Sequence, residues 1–236
     1  MRKFRTLVGV FVRSSSTRGR LAGLILLALL TVGMAIVVRS APDADADAPG
    51  DLIDLLGLTL IVPVASLLVA TATLGQLWGD GSLVYVWLRP VSRWTIAAAA
   101  WIAAVLVTLP AVVAPLVVAA VVAGGSSDLV VAAALSSGLG VVAYCGVFAM
   151  LGIVARHAAI WGIAYILLWE GALPALGGGV NRLALRSYTR SVLERVGDLD
   201  LPLSSTSTAV AMAVLLGAAL VAVTVATVRL RRMDVE

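Results

Sequence analysis

Apolar residues run along this chain in six long blocks, about 21–38, 52–78, 94–123, 129–154, 158–176 and 205–228. None shows the strict apolar–polar alternation of a half-buried strand, and most are far longer than one. At 1.5 Å per residue a helix needs roughly 18–20 apolar residues to cross a ~30 Å hydrocarbon core, and the blocks are near or above that length. The pattern predicts an all-α integral membrane protein with six transmembrane helices, forming a single domain over residues 1–236. Pro63 in the second block is tolerated where neighbouring helices re-satisfy the freed carbonyl, and Pro110 and Pro115 are expected to kink the third. The fourth block holds Ser136, Ser137, Gly138, Gly146 and Gly152, small residues that let helices approach closely in a bilayer.

Two polar-striped segments stand apart from the blocks. Residues 2–13 carry Arg2, Lys3, Arg5 and Arg13 opposite Phe4, Leu7, Val8 and Phe11. This is a basic amphipathic helix suited to a membrane interface. After Pro174 and Gly177-Gly-Gly179, Arg182, Arg186, Arg190 and Glu194 form a stripe at i+4 spacing against Leu185, Tyr188, Val192 and Val196. That predicts a second amphipathic helix, lying at the outer interface between spans five and six.

Composition narrows the picture. The 236 residues are 61% hydrophobic and 13% charged, against roughly 25% charged in soluble domains. The net charge of +4 comes from arginines beside the spans, which read as topology signals rather than nucleic-acid contacts. Twelve basic residues (2, 3, 5, 13, 18, 20, 89, 93, 156, 229, 231, 232) fall on one side and five (39, 182, 186, 190, 195) on the other. This predicts an N-in, C-in arrangement, with the acidic loop bearing Asp43, Asp45, Asp47 and Asp51 outside. The first block lacks a small-x-small cleavage site and reads as a retained span.

The most informative turn lies between the second and third blocks, Asp80-Gly-Ser-Leu-Val-Tyr-Val-Trp-Leu-Arg-Pro-Val-Ser-Arg93. Asp80 and Gly81 end the incoming helix, and Ser82 caps a short new one. Leu83, Val86 and Trp87 give it one apolar face, Pro90 ends it, and Arg89 and Arg93 mark it as cytoplasmic. A Gly-[Ser/Thr]-Leu turn followed by apolar residues and Arg-Pro-Val-Ser-Arg resembles the cytoplasmic coupling helix of type-2 ABC transporter permeases. Where such permeases often have Glu after the Leu, this chain has Val84.

The resemblance implies a bacterial exporter-like permease subunit, paired with a second permease subunit as homo- or heterodimer. Two copies of a separate ABC ATPase subunit would bind ATP and Mg. In such permeases the N-terminal amphipathic segment is an elbow helix, and interfacial or re-entrant helices follow the fifth span. The implied location is the plasma membrane of a bacterium. The implied mechanism is alternating access, with export of a hydrophobic or amphipathic substrate as the expected direction. Asp80, Gly81, Leu83, Val86, Trp87, Arg89, Pro90 and Arg93 would form the ATPase-coupling surface.

One further side chain stands out. Glu170 lies about 18 Å into the fifth block, in the outer half of the bilayer. A carboxylate there needs a partner or a water-filled cavity. It either lines the translocation path or forms a buried pair with an arginine such as Arg182. Trp169-Glu170-Gly171 also resembles a Trp-Glu-Gly at this place in bacterial members of the family.

Catalytic chemistry finds little footing. The only lysine is Lys3, and no Gly-x-x-x-x-Gly-Lys precedes a helix, so the chain carries no P-loop. One cysteine (Cys145) and one histidine (His157) make neither a disulfide nor a protein metal site. A serine protease would need a Gly-x-Ser-x-Gly with a base, and Asp54 and Asp80 stand at opposite ends of one block. The alternatives to the permease are an autonomous channel or secondary carrier and, more remotely, a membrane-embedded enzyme.

Overall fold

In the computed structural model, residues 2–41, 47–79, 92–155, 157–172, 184–199 and 206–232 are described, and all their regular structure is helical. The chain runs through α1 (Arg2–Ser15), α2 (Arg18–Ser40), α3 (Ala48–Asp51), a π-helical segment π1 (Leu52–Ile61) and α4 (Val62–Gly79). It continues as α5 (Arg93–Val122), α6 (Ser127–Val154), α7 (Ala158–Ala164) and a second π-helical segment, π2 (Tyr165–Ala172). Last come α8 (Leu185–Gly197) and α9 (Thr208–Arg232).

Capping residues set where the long helices begin. The Ser92 hydroxyl accepts from the Thr95 amide and Ser126 from that of Leu129, each satisfying one orphan donor of a first turn. The three arginines in the last turn of α9 complement the negative end of its dipole.

Five helices among the described residues are long and apolar enough to cross a membrane: Arg18–Ser40, Ala48–Thr73, Arg93–Val122, Ser127–Val154 and Thr208–Arg232. The fifth predicted block appears as a shorter apolar helix, Ala158–Gly171. Its predicted end at 176 lies outside the described residues. The outward faces of α2, α7, π2 and α9 present Leu26, Leu29, Ile160, Trp161, Leu167, Leu168 and Val221, all more than half exposed. So much contiguous apolar surface on a folded chain calls for lipid around it. The protein is a multi-pass α-helical membrane protein.

Helix α6 is the centre of the bundle, packed against α4, α5, α8 and α9. Its glycines explain two of those contacts. A Cβ on Gly146 would stand 2.9 Å from Ala219 Cα, and one on Gly152 would stand 3.2 Å from the Thr71 carbonyl oxygen. Gly138 has no such neighbour. Ser136 and Ser137 turn their hydroxyls back to the Ala133 carbonyl of their own helix. Trp101 ties α5 to α6 by donating from Nε1 to the Val142 carbonyl at 3.0 Å.

The basic N-terminal segment is helical as predicted. Its apolar face, Phe4, Leu7, Val8 and the buried Phe11, shares a cluster with Ile96, Ala100 and Ala103 of α5, and α1 packs against α5 and α4. Pro110 and Pro115 lie within an α5 that is continuous from Arg93 to Val122.

The second arginine-striped segment differs from a helix lying flat on the surface. Thr189, Val192 and Leu193 of α8 are wholly buried. Thr189 packs by Gly140 of α6, whereas Gly197 packs by Ala132 of the same helix. Tyr144 lies close to Glu170, the partner of the first α8 amides. Ala132 and Tyr144 are ~18 Å apart along α6, so α8 runs along α6 from mid-bundle toward the α5–α6 turn. Its end is a left-handed Asp198 (φ 51°), followed by a Leu199 amide that donates to the Glu194 carbonyl. The Leu199 side chain then lies over Gly50 and Gly197.

Candidate functional site: two buried carboxylates against one inserted helix

Asp54 and Glu170 are the two carboxylate side chains buried in the described bundle, 1% and 2% exposed. Both lie on π-helical segments. In π1 the wide register has a local cause. Pro63 has no N–H for the Thr59 carbonyl, and its ring crowds that carbonyl in an α-helix. The Val62 amide instead reaches back five residues to Gly57. In π2, Glu170 is brought to the same face as Tyr165, five residues earlier, and the Tyr165 hydroxyl donates to Glu170 Oε1 at 2.9 Å. On an α-helix residues five apart diverge by about 140°.

Glu170 caps α8 from another helix. Its Oε1 also accepts from the Leu185 amide at 3.2 Å, and its Oε2 accepts from the Arg186 amide at 3.0 Å. These are first-turn donors with no intrahelical partner, at the positive end of the α8 dipole, where a carboxylate is favoured. An aromatic ladder seats the tyrosine. Tyr144 stacks on Phe148, Phe148 meets Tyr165 edge-on, and Tyr165 stacks on Trp169, with centroids 5.9, 5.9 and 6.4 Å apart. The Tyr144 hydroxyl is buried beside the same carboxylate.

Asp54 reaches α8 one turn further along. Arg190 Nη2 lies 3.0 Å from Asp54 Oδ2, and Arg186 Nη2 lies 3.8 Å from the same oxygen. Spacing of four residues puts both guanidinium groups on one face of α8. Arg186 therefore serves both acids, with its amide on Glu170 and its side chain toward Asp54. A bare buried carboxylate would be costly; two guanidinium groups face Asp54, while a tyrosine hydroxyl and two amides donate to Glu170.

The residues predicted for ATPase coupling, Asp80, Gly81, Leu83, Val86, Trp87, Arg89 and Pro90, lie outside the described residues, as does Arg182. Arg93 is described and opens α5. Glu170, singled out from its depth, sits where a partner was expected, and its described partners are a tyrosine and two backbone amides. Asp54 was not picked out as a site residue. Its signal was an acid inside an apolar block, together with two arginines four apart that had no assigned partner.

Arg195 anchors the other end of α8, its Nε donating to the Thr206 carbonyl at 2.9 Å just before α9 begins. Among the described residues, no group of three His, Cys, Asp or Glu is placed to hold a metal ion. No family model matches the chain, and no curated protein matches its sequence.

Proposed function

We propose that this chain is the transmembrane subunit of a type-2 ABC transporter, working by alternating access with a separate ATPase subunit that binds ATP and Mg. The observation that carries this reading is the sequence Gly81-Ser-Leu through Arg89-Pro-Val-Ser-Arg93, placed between the second and third long apolar helices. Three features support it. A basic amphipathic helix, α1, precedes the first span and packs across α5 and α4, as an elbow helix would. In this reading the shorter apolar helix Ala158–Gly171 is the fifth of six spans, beside the five long ones. Helix α8 follows it and enters the bundle, in keeping with a re-entrant element between spans five and six.

In this reading the protein pairs with a second permease subunit in a bacterial cytoplasmic membrane and exports a hydrophobic or amphipathic molecule. The autonomous carrier is the competing reading, because buried carboxylates often mark ion pathways. Here both carboxylates are engaged by one helix, α8, which is what a structural role requires. Purification of the tagged chain from its native membrane tests the choice. A bound ATPase subunit, lost when Trp87→Ala removes the apolar anchor, is the expected result. A chain that purifies alone and conducts substrate unaided favours the carrier.

A further inference from the structure

The two buried acids share more than a common target. Each stands on a π-helical segment, in a different span, and in each segment a side-chain hydrogen bond joins two residues five apart. In π1, Thr59 Oγ1 donates to the carbonyl of Asp54 at 2.9 Å. In π2, the Tyr165 hydroxyl donates to the carboxylate of Glu170 at 2.9 Å. Both bonds need the wide register, because five residues on an α-helix turn the partners about 140° apart. Pro63 also stands two residues beyond the end of π1. Lastly, both acids close on the same turn of α8, meeting at Arg186.

The geometry points to a register switch. Helix α8 is clasped to the second span by Asp54 and to the fifth by Glu170 only while π1 and π2 keep the wide register. Relaxation of either segment to an α-helix turns its acid away from α8 and frees the helix from that span. Thr59 and Tyr165 are positioning residues that hold the register, and Arg186 makes the two clasps interdependent. The second and fifth spans thus sense each other through α8. This holds whether the protein is a permease subunit or a carrier, so its test is separate from that of the function.

Hydrogen exchange read by mass spectrometry on the full chain in lipid nanodiscs tests it, following the amides of 185–197. Asp54→Asn and Glu170→Gln should each speed exchange there by about tenfold or more, since the first removes the ion pair with Arg190 and the second weakens charge-assisted hydrogen bonds. Thr59→Val and Tyr165→Phe leave the carboxylates in place, and each should still speed α8 exchange by about fivefold. Asp54→Asn combined with Thr59→Val should exchange no faster than Asp54→Asn alone, because the threonine acts through the acid. Wild-type exchange of α8 in Thr59→Val and Tyr165→Phe would overturn the switch, even if the acid variants loosen the helix. Additive effects in the double variant would overturn it as well. If Asp54→Asn yields no folded protein, the two conservative variants decide alone.

Discussion

Replacing Glu170 with glutamine asks whether a buried charge is a burden on this bundle or a support. Were the carboxylate unsatisfied, removing its charge would stabilise the protein by about 2.5–3.5 kcal/mol, the cost of an acid at mid-membrane. The three donors around it reverse that expectation. Glutamine keeps the shape but turns an NH2 group toward the Arg186 amide or toward the donors on Oε1. Losing one charge-assisted hydrogen bond costs about 1.5–3 kcal/mol, and losing the helix-end charge costs about 0.3–1 kcal/mol more. The sum, roughly 2–4 kcal/mol of destabilisation, corresponds to a Tm about 4–16 °C lower at 2–4 °C per kcal/mol. The protein carries its own reporter. Cys145 is the single cysteine and is fully buried, so a thiol-reactive fluorophore lights up only as the bundle opens. A melting curve of the purified protein, read this way, gives the shift directly. A Glu170→Gln protein that melts at or above the wild-type temperature would refute the capping role.

Other outcomes follow from the same geometry. Asp54→Asn and Arg190→Gln should each destabilise by about 3–5 kcal/mol, with the double variant well short of the sum, in a double-mutant cycle on thermal stability. Gly146→Ala should lower the melting temperature, at about 1–3 kcal/mol, because the new methyl meets the Ala219 backbone. Gly138→Ala has open space around it and should be neutral or gain up to ~1 kcal/mol from helix propensity. Single cysteines at Ala46 and Ser126, in a Cys145→Ala background, should react with an impermeant thiol reagent from outside the cell. Labelling only after permeabilisation would reverse the N-in orientation.

What could be read from the sequence, and what could not, divides along a physical line. Spans are legible because lipid imposes an apolar requirement on every turn, whatever the helix touches; α2, α5, α6 and α9 begin and end within a few residues of their blocks. That Glu170, an acid within an apolar block, needs a partner was legible for the same reason. Which partner was not, because two backbone amides of α8 leave no trace in residue type. The Asp54–Arg190 pair joins positions 136 residues apart, and only the fold brings them together. Its arginines read as a surface stripe until α8 was seen along α6. The π register is legible in hindsight at Pro63, yet a proline by itself equally allows a kink. Residues 81–93, proposed as a coupling helix, are the reverse case: a sequence pattern whose test lies in function.

The most direct test of the central claim is ATP hydrolysis measured beside substrate flux in proteoliposomes containing this chain and any ATPase subunit that co-purifies with it. The permease reading predicts flux that requires ATP and falls sharply when Trp87→Ala is combined with Arg89→Ala, with the membrane domain still folded. A buried aromatic anchor in an interface is worth about 2–4 kcal/mol, so association or coupling should weaken by roughly 30-fold or more. Flux that proceeds without ATP, or that survives the double substitution at full rate, would contradict it.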